Sequence, residues 1–172
     1  MAARDLSLAA LFVGLGVLIP ILFHAVGLGS VFLPMFLPLA AAGFYLPLGV
    51  AMAVGVLTPV VSALATGMPP LSPPVAQLMA LEGLALTGVV GALARRERVP
   101  VLVALVAGLA ASRAVMVIWV AALVPLLGLP AKSMSLAALL QGVPGIVLIL
   151  VLVPIVVKRL RPSQVRKGAA HA

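Results

Sequence analysis

The chain contains no cysteine, and only 8% of its 172 residues are charged. The first absence excludes disulfides, thiolate metal sites, iron–sulfur clusters and thiol nucleophiles. The second excludes a water-soluble globular fold, since such domains carry about 25% charged residues. Acidic residues are scarcer still, being limited to Asp5, Glu82 and Glu97. Acid–base or metal-assisted chemistry generally needs several converging carboxylates or histidines. Within or beside its apolar runs the chain offers Glu82 and His24 for that purpose. A glycine loop followed by Lys and Ser or Thr is also missing, so the chain cannot itself hydrolyse ATP by the Walker mechanism. The expectation is a binding protein, not an enzyme, with no catalytic residues, no cofactor and no metal site.

What is abundant is apolar sequence, at 65% of residues. It falls into six runs: Leu6–Phe23, Val31–Leu46, Pro47–Ala65, Val75–Ala94, Val101–Leu127 and Leu136–Val157. A membrane-spanning helix needs about 20 apolar residues, so six fit this length. None of the runs shows a polar helical face, and none alternates with the period of two that a barrel strand requires. In lipid the backbone must satisfy its own hydrogen bonds, which leaves helices. The predicted fold is an all-α integral membrane protein, a compact bundle of six transmembrane helices forming one domain over residues 1–172, with a basic cytoplasmic tail at 158–172. The first run follows Arg4 and has the length of a signal peptide, but Asp5 weakens the basic region and five further runs follow, so it reads as a retained span.

Eleven Lys and Arg residues would suggest nucleic acid in a soluble chain, but here they sit between the apolar runs. Arg4, Arg95, Arg96, Arg98, Lys158, Arg159, Arg161, Arg166 and Lys167 all fall at ends and loops that share one side of a six-span bundle. By the positive-inside rule that side is the cytoplasm, with both termini on it. Lys132 falls in an outer loop and Arg113 inside the fifth run. Gly27, Gly29 and Pro34 mark the first outer loop, and Gly67, Pro69, Pro70, Pro73 and Pro74 the second, so both loops are expected to be stiff. Pro34 and Pro38 make the second run the one expected to be tilted or broken.

An ionisable group within a membrane must be paired, solvated or neutral. Counted from Val75, Glu82 lies roughly 10 Å deep, and Arg113 lies roughly 20 Å in from Leu127. Neighbouring antiparallel helices would bring the two within reach of each other, as a structural clamp or as a polar floor under an outward-facing pocket. His24 reads as an interfacial histidine or a pocket residue. Gln77 is a weaker polar candidate, Gln141 shares a face with Gly145 as in a tight helix contact, and Trp119 suits either an interfacial belt or a stacking platform. Ala10 and Gly14 form a small-xxx-small pair that lets another helix approach.

Several segments, in this order, resemble the substrate-binding S components of energy-coupling factor importers, vitamin-uptake transporters of the ATP-binding-cassette class. They are Ala9-Ala10-Leu11 through Leu18-Ile19-Pro20 with Phe23-His24, Phe32-Leu33-Pro34-Met35 with Pro38, and Thr58-Pro59 leading to Thr66-Gly67-Met68-Pro69-Pro70. Leu81-Glu82, Gly88, Ser112-Arg113-Ala114, and Gly142-Val143-Pro144-Gly145 with Pro154 continue the likeness. The resemblance implies a subunit of the cell membrane that holds a vitamin or other micronutrient near its outer face. It also implies docking on a transmembrane coupling subunit that works with two ATP-binding-cassette ATPases. Carried over, His24, Met35, Phe36, Met68, Glu82 and Arg113 become pocket candidates, while Ala10 and Gly14 become docking candidates. Relatives of this type often read Pro-Met-His-Ile-Pro where this chain has Pro34-Met35-Phe36-Leu37-Pro38, which implies loss of a polar ligand contact. The alternative is a free-standing proton-coupled carrier with Glu82 as the titrating group, although such carriers usually show inverted repeats and none is found here.

Overall fold

A computed structural model describes residues 2–126 and 140–160, and among the described residues the regular secondary structure is helical, with no strand. In chain order they form α1 (Ala3–Ala25), the short α2 (Gly29–Phe32), α3 (Phe36–Tyr45), α4 (Leu48–Thr66) and α5 (Val75–Leu93). Then come α6 (Val101–Ile118), which runs on through a π-helical turn (Trp119–Leu123) and a last short turn (Val124–Leu126), and α7 (Val143–Leu160). Six of these helices have ten residues or more. Four are long and apolar enough to cross a membrane: α1, α4, α5, and α6 extended to Ala122.

The centre of the bundle is α3, whose residues Leu39 to Phe44 are all buried. Its run Ala40-Ala41-Ala42-Gly43 presents little side chain, so neighbours approach closely: a Cβ on Gly43 would collide with Val90 of α5. Leu39, Leu86, Val90, Leu105, Ile149 and Val153 fill the space between α3, α5, α6 and α7. Gly55 of α4 and Gly83 of α5 meet backbone to backbone, which makes this pair of helices the most intimate in the fold. The buried hydroxyls nearby are satisfied within their own helices, Thr58 donating to the Val54 carbonyl at 2.7 Å and Thr87 to the Gly83 carbonyl at 2.8 Å. On the outside, α1 exposes Leu6, Leu11, Leu18, Ile21 and Leu22, a surface suited to lipid or to another membrane helix and not to water.

Polar ties mark one end of the bundle. The Arg95 guanidinium donates to the Leu46 carbonyl at 2.6 Å and to the Gly91 carbonyl, closing the C-terminal ends of α3 and α5 together. The Tyr45 hydroxyl donates to the Val156 carbonyl at 3.2 Å, and its ring stacks on Phe12 with centroids 6.1 Å apart. At this end also lie Arg4, Arg96, Arg98, Lys158 and Arg159.

At the opposite end the second apolar run is not one helix. It breaks at Leu33-Pro34-Met35, between α2 and α3, because Leu33 takes a left-handed conformation (φ 47°) and Pro34 has no N–H to continue the ladder. Pro38 is tolerated because it sits in the first turn of α3, where an N–H has no intrahelical partner in any case. The fourth and fifth runs begin as expected, at Val75 and Val101. Lys158 and Arg159, read as the start of the tail, belong to the last turn of α7. The end of the fifth run at Leu127, Lys132, the start of the sixth run at Leu136 and the tail beyond Leu160 lie outside the described residues.

Candidate substrate-binding site

A cavity of about 520 Å³ opens at the end away from Tyr45 and Arg95, within the size range of small-molecule sites. Its walls come from four places in the chain: the end of α1, the break before α3, the end of α4 with the following loop, and the start of α5. From α1 it takes Pro20, Ile21 and His24. The His24 ring lies 2.8 Å through Nδ1 from the Pro20 carbonyl. It also rests against Gly29, where any Cβ would collide with it.

The break supplies Leu33, Pro34, Met35 and Phe36. Two contacts hold it in place. Gly145 of α7 sits against the Phe32 backbone so closely that a Cβ could not be accommodated, and the Phe23 and Phe32 rings lie 5.7 Å apart. Gly27, at φ 75°, makes the turn that lets α2 fold back over the end of α1.

The far wall is the loop from Thr66 to Pro74, which contains cis peptide bonds at Met68–Pro69 and Ser72–Pro73. It is tied to both flanking helices. Ser62 of α4 donates to the Met68 carbonyl at 2.6 Å, the Met68 N–H donates to the Thr66 hydroxyl at 3.2 Å, and the Gln77 amide donates to the Leu71 carbonyl at 3.3 Å. Hydrogen bonds thus brace this loop in addition to its prolines.

Glu82 and Arg113 do pair: Arg113 Nη2 lies 2.5 Å from Glu82 Oε1, with side-chain exposures of 16% and 5%. Ser112 Oγ is 3.3 Å from the same guanidinium nitrogen and 3.5 Å from the carboxylate. The Arg113 guanidinium carbon stands 5.3 Å from the centroid of the Phe36 ring, a cation–π distance, and Phe36 in turn bounds the cavity. The pair itself does not bound it.

Of the nine residues singled out as ligand contacts, His24, Met35, Phe36 and Met68 bound the cavity, and Gln77, Glu82, Arg113, Trp119 and Gln141 do not. Gln77 braces the loop that does. Trp119 opens the π-helical turn, with its indole nitrogen buried and without a hydrogen-bond partner among the described residues. Arg113 Nε is in the same position. Gln141 is exposed just before α7. The cavity also takes Ser62, Thr66 and Met79, which the sequence reading did not single out as contacts. A polar i, i+4 pair at the end of an apolar helix was the available signal for Ser62 and Thr66, whereas nothing marked Met79. On α1, Ala10 is exposed and the space where a Gly14 Cβ would sit is open.

Among the described residues no three His, Cys, Asp or Glu side chains gather as a metal site would require. An apolar cavity of this size in a bundle of membrane-crossing helices is suited to holding a small molecule. The family model of the ECF transporter, substrate-specific component, matches residues 4–157, nearly the whole chain. The chain belongs to this family. No curated protein and no solved structure matches it. S components are the substrate-binding subunits of ECF transporters; they are not enzymes, and they work in the lipid bilayer with a membrane coupling subunit and two ATPases. As an S component this chain is a multi-pass membrane protein, and its cavity is the candidate place for a substrate.

Proposed function

We propose that the chain captures a vitamin-like small molecule in the 520 Å³ cavity, at the outer face of the cytoplasmic membrane, for ATP-driven uptake by a coupling subunit and two ATPases. The observation that carries this reading is the cavity itself, walled by braced loops at one end of a family member. The basic side chains Arg4, Arg95, Arg96, Arg98, Lys158 and Arg159 support the orientation, since they collect at the other end and would face the cytoplasm with both termini. His24, Met35, Phe36 and Met68 contact the ligand. Glu82 and Arg113 act through the Phe36 ring that Arg113 covers, and Gln77 acts through the loop that it braces. Ala10 and Gly14 meet the coupling subunit, where small side chains allow close helix approach. A proton-coupled carrier would need Glu82 free to exchange its proton, and the ion pair with Arg113 speaks against that role.

The test fills the cavity. Met79→Trp, on the first turns of α5, places an indole where the ligand would sit. The full chain in detergent should keep its helical circular dichroism and lose the small molecule that mass spectrometry detects on the unaltered protein. An undiminished ligand would place the site elsewhere.

A further inference from the structure

Away from the cavity, the first half of α6 carries a groove on its outer face. The inner face of this helix, with Ala104, Leu105, Gly108, Leu109 and Ser112, is buried against the bundle. On the other side Leu102, Val103, Val106, Ala107 and Ala110 line an open, apolar groove of about 330 Å³, in which Leu102, Val103 and Val106 are half exposed and the two alanines contribute only methyl groups. From Leu102 to Ala110 the helix rises roughly 12 Å, and half of a bilayer's hydrocarbon core is about 15 Å. Since α6 starts at Val101, the groove runs from the membrane surface towards the midplane. It is one leaflet deep.

Immediately before this helix the chain reads Arg95-Arg96-Glu97-Arg98-Val99-Pro100. Two residues pin the turn to the bundle: Arg95 bonds the Leu46 and Gly91 carbonyls, and Val99 packs against the core. Arg96 and Arg98 stay exposed, and among the described residues neither side chain has a hydrogen bond or an ion pair. The sequence is also short of carboxylates to neutralise them. Its acidic side chains are Asp5, Glu82 and Glu97, of which Glu82 is held by Arg113, whereas Arg4, Arg95, Arg96, Arg98, Lys158 and Arg159 share this end. The segments outside the described residues contain no Asp or Glu.

An excess of positive charge at the membrane surface, directly ahead of an apolar groove one leaflet deep, is complementary to a molecule with an anionic head and a hydrocarbon chain. A free anion would leave the groove empty. An apolar helix of another protein would fill the groove and leave the two guanidinium groups without a counter-charge. We propose that this face of α6 binds an anionic phospholipid, with one acyl chain lying along Leu102 to Ala110 and the phosphate meeting Arg96 and Arg98. A guanidinium presents paired N–H donors that match two phosphate oxygens, and it is weakly hydrated, so little is lost when it leaves water. Glu97, exposed between the two arginines, opposes the phosphate and holds the affinity down. The cavity lies at the opposite end of the bundle, so the lipid site stands whatever the cavity holds.

The test is native mass spectrometry of the purified full chain in detergent, offered equal amounts of phosphatidylglycerol and phosphatidylcholine with identical acyl chains. The unaltered protein should retain phosphatidylglycerol in preference, and Arg96→Gln/Arg98→Gln should lower that retention about tenfold, since each basic side chain near an anionic headgroup contributes several-fold. Glu97→Gln should raise it. Ala107→Phe/Ala110→Phe, which fills the groove from outside the bundle, should keep its helical circular dichroism and lose the retained lipid. Lys158→Gln/Arg159→Gln, at the same end but on α7, should leave retention nearly unchanged. Equal retention of the two lipids, or undiminished retention in Arg96→Gln/Arg98→Gln, would overturn the proposal. Equal losses in the Arg96/Arg98 and Lys158/Arg159 variants would overturn it as well, by showing a diffuse field of charge and no site. A rise in Tm with inorganic phosphate matching that with phosphatidylglycerol would contradict it, because no acyl chain would then be needed. If the Phe variant kept its lipid but no longer co-purified with the coupling subunit, the face would belong to a protein partner instead.

Discussion

Arg113 and Glu82 meet at 2.5 Å across α5 and α6, and the same guanidinium lies over the Phe36 ring that walls the cavity. The contact thus joins a helix clamp to the cavity through one aromatic side chain. Removing either charge strands the other in a low-dielectric interior, at a cost of about 3–5 kcal/mol for a buried pair. Glu82→Gln and Arg113→Met should each lower Tm markedly in detergent, and the combined Glu82→Leu/Arg113→Met variant should recover much of the loss. Ligand affinity of folded Arg113→Met should fall as well, because Phe36 loses the group that covers it. Unchanged affinity in folded Glu82→Gln and Arg113→Met would leave the pair as a clamp alone.

Two glycines in neighbouring helices should respond in opposite directions. A Cβ at Gly83 would run into the Gly55 carbonyl, and neither backbone can yield without separating α4 from α5. Gly83→Val should therefore cost about 1–3 kcal/mol or more, the range of overpacked cores. Gly49, in the first turn of α4, has open space where a Cβ would go. Gly49→Ala should be neutral or stabilising by up to about 1 kcal/mol, since alanine loses less freedom in a helix. Thermal melts of the two variants beside the unaltered protein decide this, and equal losses would contradict the close α4–α5 contact.

Docking should be separable from folding. With Ala10 exposed and nothing near a Gly14 Cβ, the double variant Ala10→Leu/Gly14→Leu fits the isolated chain. Its Tm and ligand binding should match those of the unaltered protein, while co-purification with the coupling subunit should be lost because close helix approach is blocked. Intact co-purification would remove α1 from the interface at these positions.

Topology follows from charge. Ser72→Cys, in the loop that walls the cavity, should react in intact cells with a membrane-impermeant thiol reagent, and Arg96→Cys should react only after lysis. The chain has no cysteine of its own, so the background is clean. Labelling of residue 96 in intact cells would invert the orientation.

The long helices were legible because a span is set by composition and length, and α1, α4, α5 and α6 start within a few residues of where their apolar runs start. The break after α2 was half legible. Pro34 announced it, but the left-handed turn at Leu33 belongs to a residue type that rarely adopts one, and only the surrounding contacts impose it. The Glu82–Arg113 pair could be found by counting depth along neighbouring helices. Its relation to the cavity could not, since that depends on where the Phe36 ring points. Ser62 and Thr66 were missed for a related reason. Hydroxyls in apolar helices usually bond the carbonyl one turn back, as Thr58 and Thr87 do, and what distinguishes Ser62 is a bond to Met68 that exists only once the loop has closed.

Uptake into liposomes tests the central reading most directly. The co-purifying ligand, radiolabelled, is offered to liposomes containing the purified chain alone or the chain with a coupling subunit and two ATPases. The prediction is binding without accumulation by the chain alone, under a proton gradient or without one, and accumulation by the full complex only when ATP is supplied on the ATPase side. Accumulation by the chain alone, driven by a proton gradient and abolished by Glu82→Gln, would contradict the account and establish a carrier in its place.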